Sequence, residues 1–143
     1  MNQTVTGVLD LYKEATHEKN AEKFLSFHAE DVHIYDCWGS WEITGIANWS
    51  EVVKEWFSEL NDGGEYLQVE FHHTKVEESD TVAFVHSDVL FAAYNEQSGE
   101  KLRQITNRFT FGMRKTEECW YITHQHSSLP IDIQNGKGMF NLK

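Results

Sequence analysis

The sequence predicts an α+β domain in which helices cover one face of a long, curved, mainly antiparallel sheet. Apolar residues recur at helical spacing early in the chain, and apolar and polar residues alternate through most of the remainder. The 143 residues include one proline and no Gly/Ser-rich linker. We therefore expect residues 1–143 to form one domain, with 131–143 as a C-terminal tail.

Three helices are expected before the main sheet. The segment Val5 to Ala15 carries apolar residues at helical spacing, and Asn20 can cap a shorter helix that runs to Phe27. The third helix has apolar residues three and four positions apart, at Trp49, Val52, Val53, Trp56, Phe57 and Leu60. The run Asn61-Asp-Gly-Gly64 ends that helix.

The remaining segments are typical of strands. VHIYDCW alternates and is rich in β-branched and aromatic residues, and GSWEITG predicts a turn followed by a second short extended piece. Four longer segments come next, separated by short polar turns: EYLQVEFHHTKVEE, TVAFVHSDVLFAAY, KLRQITNRFTFGMRK and CWYITHQHSSLP. We expect them to pair as an antiparallel meander, and strands this long must bend to stay packed on the helices.

Charge and cysteine content exclude several classes of function. The 23 acidic and 12 basic residues give a net charge of -11, which opposes binding to nucleic acids and to anionic membranes. No apolar run approaches a membrane span and the N-terminus has no signal-peptide pattern, so we expect a cytoplasmic protein. Cys37 and Cys119 lack CxxC spacing, which argues against a disulfide framework or a structural zinc site. We expect no cofactor.

The last strand segment changes character halfway along. Alternation puts five residues on one face, where an apolar stripe turns polar: Trp120, Ile122, His124, His126 and Ser128. The two imidazoles could bind a metal if His86, Asp36 or Asp88 supplied a third ligand. They could equally be hydrogen-bonded core histidines or ligand contacts. We expect no metal, and interpret the polar half as one wall of a ligand cavity.

One segment carries a family resemblance. Tyr35-Asp36-Cys-Trp-Gly39-Ser40-Trp-Glu-Ile-Thr-Gly45 is similar to the ketosteroid isomerase segment that holds the catalytic Asp. Over nearly its whole length the chain resembles the SnoaL-like, ketosteroid isomerase-like branch of the nuclear transport factor 2-like superfamily, which has a cone-shaped, cystatin-like fold. The terminal W-x-I-x-H-x-H-S-S-x-P pattern resembles a SnoaL-like subgroup and the association domain of calcium/calmodulin-dependent kinase II.

The resemblance implies roles for three residues. Asp36 matches the proton-shuttling position, Tyr12 matches the Tyr that donates to the substrate oxyanion, and Asn107 stands where the isomerase keeps a protonated Asp as second donor. An amide can still donate through its NH2 group. Tyr12 on an apolar helix face could instead be a core aromatic, whereas an unpaired buried carboxylate such as Asp36 is costly and indicates a purpose.

Further ligand contacts are expected around these three residues. Trp38 and Trp56 should roof the pocket or fill the core beside the third helix, and His86 is a candidate contact. Arg108 alternates with Asn107, so only one of them faces the pocket unless a bulge changes the register. The kinase association domain resemblance favours Arg108 as a pocket residue, and the isomerase resemblance favours Asn107.

These observations predict a protein that binds a small, polar organic molecule and isomerises or dehydrates it, and that forms a homodimer through the outer sheet face. Dehydration is included because an Asp, a Tyr and a His pair resemble scytalone dehydratase in residue types. The alternative is a non-catalytic ligand-binding or oligomerisation module. The discriminating feature is whether Asp36 reaches the same cavity as His124 and Tyr12.

Overall fold

The computed structural model describes residues 3–140 and confirms the predicted fold class. Its elements occur in the expected order, with helices α1 (Val5–Glu18), α2 (Ala21–Ser26) and α3 (Ile46–Asp62). The strands are β1 (His28–Tyr35), β2 (Ile43–Thr44), β3 (Glu65–Glu78), β4 (Val82–Asn95), β5 (Lys101–Thr116) and β6 (Cys119–Ser128). Among the described residues, no helix is both long and apolar enough to cross a bilayer.

Local signals set the helix ends. The Thr4 side chain accepts from the backbone N–H of Gly7 at the start of α1, and Asn20 accepts from the N–H of Lys23 at the start of α2, as expected for N-caps. Lys19 ends α1 in the left-handed conformation and donates its N–H to the last-turn carbonyls. α1 therefore runs three residues beyond the predicted Ala15, because its stop signal is conformational and no glycine marks it.

The six strands form a single sheet in the order β2-β1-β6-β5-β4-β3. All neighbouring pairs are antiparallel except β1 and β6, which run parallel. The predicted meander is therefore confirmed, and β6 acquires a second partner that links the N-terminal strands to it. The pairing is irregular at several places, including β3 beyond His72, where His73 has a positive φ. Such bulges increase the bend and twist of a strand.

An aromatic cluster joins the helices to the concave sheet face. The Tyr12 ring lies within ring-contact distance of five phenylalanines: Phe24, Phe27, Phe71, Phe109 and Phe111. Phe24, Phe27 and Phe111 are completely buried. Each aromatic side chain of this size removes a large apolar area from water. The cluster fixes α1 and α2 against the sheet.

A bulge in β6 changes which residues face the helices. Ile122 is paired with Met113 of β5, but His124 is paired with Gly112, so Thr123 is an extra residue with no counterpart in β5. Side chains of a strand alternate between faces, so one extra residue reverses the alternation beyond it. Trp120 and Ile122 are buried on the concave face, as expected, and beyond the bulge the concave face is taken by Gln125 and Ser127.

The expected C-terminal tail folds back on itself. Ile131 and Gly138 form an isolated antiparallel bridge, and Phe140 stacks on Trp38 with ring centroids 5.4 Å apart. Residues 141–143 of the tail lie outside the described part of the chain. The stacked pair ties the tail to the loop between β1 and β2.

Candidate functional site

A cavity of about 720 Å³ lies between α3 and the concave face of the sheet. It brings together five of the residues predicted from the sequence: Tyr12, Trp38, Asp36, Trp56 and Asn107. Its walls are largely aromatic and aliphatic, with a few polar groups among them. Pockets of this size and composition are typical of small-molecule sites.

Tyr12 is one of the most buried residues that line the cavity. Its side chain is 2% exposed, and within residues 3–140 its hydroxyl has no hydrogen-bond partner. Burial, reinforced by the negative charge of Asp36, raises the pKa of the Tyr12 hydroxyl far above its ordinary value. The phenol is therefore neutral at all physiological pH values and remains available as a hydrogen-bond donor.

Asp36 comes directly after β1 and is half-buried at the cavity wall. The Ser127 hydroxyl donates to its Oδ1 atom at 3.1 Å, and the same Ser127 oxygen accepts from the backbone N–H of Cys37 at 3.0 Å. Burial raises the pKa of the Asp36 carboxyl, and its hydrogen bonds with Ser127, Trp38 and Cys37 only partly oppose that rise. The result is a carboxylate that is more basic than one in water and is held in one orientation.

Two buried amides complete the polar part of the cavity. Asn107 is 4% exposed; its Nδ2 lies 3.5 Å from the Cys37 sulfur, and its Oδ1 has no partner among the described residues. Gln125 is 2% exposed, and its Oε1 is also unpartnered in residues 3–140. Buried polar atoms without partners are costly and are rare in native structures. Their presence here indicates that a ligand or water supplies the missing hydrogen bonds.

The structure corrects the expected positions of His124, His126 and Ser128. None of these side chains lines the cavity, because the bulge at Thr123 turns them to the outer face of the sheet. There the His124 Nδ1 atom lies 2.6 Å from the His33 carbonyl oxygen, and the ring packs against Tyr35 at a centroid distance of 4.8 Å. Simple alternation predicts the faces of β6 correctly up to Ile122 and fails where a residue is inserted.

His86 and Arg108 are also on the outer face. Both side chains are exposed, and neither lines the cavity. His86 is paired with Thr110 of β5, and Arg108 is paired with Asp88 of β4. No bulge separates Arg108 from Asn107, so the simple alternation of β5 holds and Asn107 is the residue that faces inward. The expectation of direct ligand contacts from His86 and Arg108 in this cavity is therefore corrected as well.

The third metal ligands considered from the sequence do not join the two imidazoles. Asp36 lies on the cavity side, whereas His124 and His126 lie on the opposite face. Within the described residues, no group of three or more His, Cys, Asp or Glu side chains is placed to hold a metal ion.

The charged residues of the cavity mouth were not predicted from the sequence. Glu55 and Glu59 lie one turn apart on α3, beside Trp56, and Arg103 of β5 binds Glu65 of β3 through two hydrogen bonds of 2.7 and 3.3 Å. The Arg103 guanidinium lowers the pKa of the Glu65 carboxyl. The helical periodicity around Trp56 could have indicated the two α3 carboxylates, but the Arg103–Glu65 pair depends on contacts between distant strands.

The raised pKa of Asp36 makes a prediction about stability. A carboxyl that binds its proton more tightly in the folded state lowers the free energy of unfolding when it ionises. This destabilisation is absent at acidic pH and grows as pH rises through the pKa of the folded state. Asp36→Asn keeps an acceptor oxygen and removes the charge. We expect it to have a larger free energy of unfolding than the wild type at neutral pH, measured by urea denaturation, with a difference that shrinks on acidification.

Asp31→Asn is the matched control, because its pKa is shifted the other way. A hydrogen bond from Arg114 lowers the pKa of this exposed carboxyl. Losing the charge should therefore destabilise the protein slightly at neutral pH, and not at pH values below the ordinary carboxyl range. If Asp36→Asn destabilised the protein at neutral pH as Asp31→Asn does, burial would not be the dominant influence on Asp36.

Several solved structures share this fold. An NTF2-like protein of unknown function from Pseudomonas putida superposes with a TM-score of 0.83 at 17% identity, covering 97% of this chain and 93% of that one. A protein described provisionally as a calcium/calmodulin dependent protein kinase II association domain, from Xanthomonas campestris, gives 0.72 at 18% identity, with 87% and 84% covered. A ketosteroid isomerase-like protein from Erwinia carotovora atroseptica gives 0.64 at 16% identity, with 87% and 92% covered.

At these identities the likeness extends to the fold alone, and no curated protein gives a significant match. The family is established by the sequence model for the SnoaL-like domain, which matches residues 5–132. That range includes all three helices, all six strands and every residue that lines the cavity. The chain belongs to the SnoaL-like domain family.

Proposed function

We propose that this SnoaL-like protein is an enzyme that moves a proton next to the carbonyl group of a small organic substrate. Asp36 is the base, and Tyr12 and Asn107 donate hydrogen bonds to the developing oxyanion. One observation carries the proposal: a half-buried carboxyl with a raised pKa lines the same cavity as a neutral phenol that has no hydrogen-bond partner within residues 3–140. Proton transfer of this kind needs a base positioned beside the substrate and hydrogen-bond donors already aimed at the developing oxyanion.

The simplest reaction of this class is the shift of a double bond into conjugation with a ketone. The Asp36 carboxylate removes a proton from the carbon between the carbonyl and the double bond, and the C–H electron pair moves toward the carbonyl oxygen. Tyr12 and Asn107 donate to that oxygen in the dienolate. Asp36 then returns the proton to the far end of the dienolate, which reforms the carbonyl and regenerates the carboxylate. Substrate and product are isomers, so no co-reactant is required.

The Asn107 amide can serve as a donor in this scheme. Its NH2 group now makes only a long contact with the Cys37 sulfur, while its oxygen is unpartnered within the described chain. Rotating the amide by half a turn exchanges the two groups in nearly the same space, at the cost of one weak contact. The Gln125 amide, whose Oε1 atom is also unpartnered within the described chain, is added to the candidate donors.

Isomerisation is favoured over dehydration by the position of the histidines. The dehydration hypothesis relied on an imidazole beside the carboxylate to assist the loss of water, and His124 and His126 are on the other side of the sheet from Asp36. A non-catalytic binding module, the alternative, would bind the same ligand in the same cavity but would transfer no proton. A test of proton transfer therefore separates it from the enzyme.

The homodimer through the outer sheet face remains a proposal. It is supported by Val82 and Phe84 of β4, which are 57% and 46% exposed on that face, since exposed apolar side chains favour association. We expect the sedimentation coefficient of the wild type to be that of a dimer, and Phe84→Glu to shift it toward the monomer. A monomeric wild type at high micromolar concentration would contradict the proposal.

Proton abstraction can be tested before the substrate is known. In D2O the protein should catalyse deuterium incorporation next to the carbonyl of small unsaturated ketones, monitored by NMR. We expect Asp36→Asn to reduce the rate by about a hundredfold to ten-thousandfold, the usual contribution of a general base. Tyr12→Phe should reduce it by about a hundredfold to a thousandfold, as for loss of one oxyanion donor.

Asp88→Asn is the control, since it removes a carboxylate from the outer sheet face, where Asp88 contacts His73. Its rate should equal that of the wild type. Exchange that survives in Asp36→Asn would remove Asp36 from the mechanism. Ligand binding without exchange in the wild type would favour the non-catalytic alternative.

Ser127 and Ser128 provide a paired test of the base. The Ser127 hydroxyl donates to Asp36 and so opposes the rise in the carboxyl pKa, whereas Ser128 is on the opposite face. Ser127→Ala should raise the pKa of Asp36 further. Because only the ionised carboxylate is a base, the acidic limb of the pH profile of kcat/KM should move to higher pH, and Ser128→Ala should leave it unchanged. An unchanged profile in Ser127→Ala would show that Asp36 does not control that limb.

A further inference from the structure

The charges that line the cavity are almost all negative. Four carboxyl side chains contribute to it, Asp36, Glu55, Glu59 and Glu65, against one cation, Arg103. Arg103 is already engaged by Glu65 through two hydrogen bonds. No lysine or histidine is among the described residues that line the cavity. A concave surface of one sign focuses its field and raises the local concentration of ligands of the opposite sign.

Aromatic side chains surround the same space. Trp56 stands next to Glu55 on α3, Trp38 lies on the loop that carries Asp36, and Trp49 and Phe91 complete this part of the wall. The faces of aromatic rings attract cations, with tryptophan the strongest, and carboxylates near the rings add to that attraction. Indole rings beside carboxylates that have no ion-pair partner in the described part of the chain form a surface that suits an organic cation and gives no advantage to an anion.

The deeper part of the cavity independently indicates that a polar ligand enters. The Asn107 and Gln125 side chains line it, are more than nine-tenths buried, and each has an amide oxygen with no partner in the described chain. The Tyr12 hydroxyl is also unpartnered there. These groups are uncharged, whereas Glu55 and Glu59 at the mouth are exposed to solvent. The inner end of the cavity therefore combines uncharged polar groups with one carboxyl, Asp36, whereas the outer end is acidic and aromatic.

We propose that the ligand of this cavity is an organic cation: a molecule whose carbonyl end lies among Tyr12, Asn107 and Gln125 and whose ammonium group lies at the mouth beside Trp56, Glu55 and Glu59. This inference rests on the proposed use of the cavity as a ligand site and adds the charge of the ligand to it. The ammonium group is either quaternary or a protonated amine, and both are attracted by the same residues.

A matched pair of probes tests the charge directly. The probes are para-acetylbenzyl-trimethylammonium and its neutral carbon isostere, para-neopentylacetophenone, with para-acetylbenzyl-dimethylamine, protonated at neutral pH, as a third arm. Binding is measured by tryptophan fluorescence at low ionic strength. We expect the trimethylammonium compound to bind about tenfold more tightly than the isostere, and the preference to fall with added salt. Comparable binding of the protonated amine would extend the site to amines, and weaker binding would restrict it to quaternary ammonium groups.

Two double variants separate a local from a general effect of charge. Glu55→Gln/Glu59→Gln removes the carboxylates at the mouth, and Glu51→Gln/Asp62→Asn removes the same number of charges from positions on α3 that do not line the cavity. The first should lose most of the cation preference and the second should keep it. Trp56→Leu, with folding checked by circular dichroism, should also weaken the preference while retaining binding of the neutral isostere.

The inference is overturned if the wild type binds the neutral isostere as tightly as the cation, if it binds no cation measurably, or if the two double variants behave alike. None of these results would decide whether the protein transfers protons, because deuterium exchange is measured separately on neutral ketones. Conversely, a cation preference without exchange would contradict the enzyme proposal and support the ligand class.

Discussion

The single extra residue in β6 determines how this site is built. Among the described strands, β6 lies between β1 and β5 and pairs with both. Its register therefore determines which of its side chains lie beside those of each neighbour. Up to Ile122, β6 contributes apolar side chains to the core. Beyond Thr123 it contributes Gln125 to the cavity wall and turns Ser127 to the same face, where Ser127 contacts Asp36. Ser127 in turn holds Asp36 and the backbone of Cys37. Without the bulge, imidazoles would stand where the amide and the hydroxyl now stand.

The polar groups of the cavity are unfavourable for folding, and the aromatic cluster offsets them. Asp36 is a half-buried carboxyl, and Asn107 and Gln125 keep unpartnered oxygens in the described structure. Such groups are found where function requires them, supported by stability elsewhere. Here the stabilising contacts lie immediately beside the cavity, because the Tyr12 ring belongs to the phenylalanine cluster and Tyr12 also lines the cavity. Tyr12 is therefore a core aromatic that also lines the cavity, and the two interpretations of its helical position are compatible.

The ionisable groups in the inner part of the cavity differ from those at its mouth in how their surroundings affect their pKa values. Deep inside, burial raises the pKa values of Tyr12 and Asp36, because the charged forms lose solvation. At the mouth, Glu65 is paired with Arg103 and its pKa falls, while Glu55 and Glu59 remain in water. The net charge of -11 could not show that several of the acidic residues lie around this opening.

The sequence by itself determined the elements, their order and one side of the site. Periodicity located the helices and strands. Alternation in β5 placed Asn107 and Arg108 on opposite faces of the sheet, and the segment around Asp36 resembled a catalytic one. Tertiary structure alone decided the faces of β6, because a one-residue bulge at Thr123 has no distinctive composition and yet reverses every later side chain. It also decided the charge of the cavity mouth, since Arg103 and Glu65 are distant in the chain and meet only when β3, β4 and β5 pair. Local patterns report what a residue prefers, whereas a cavity is defined by which distant residues are brought to the same place.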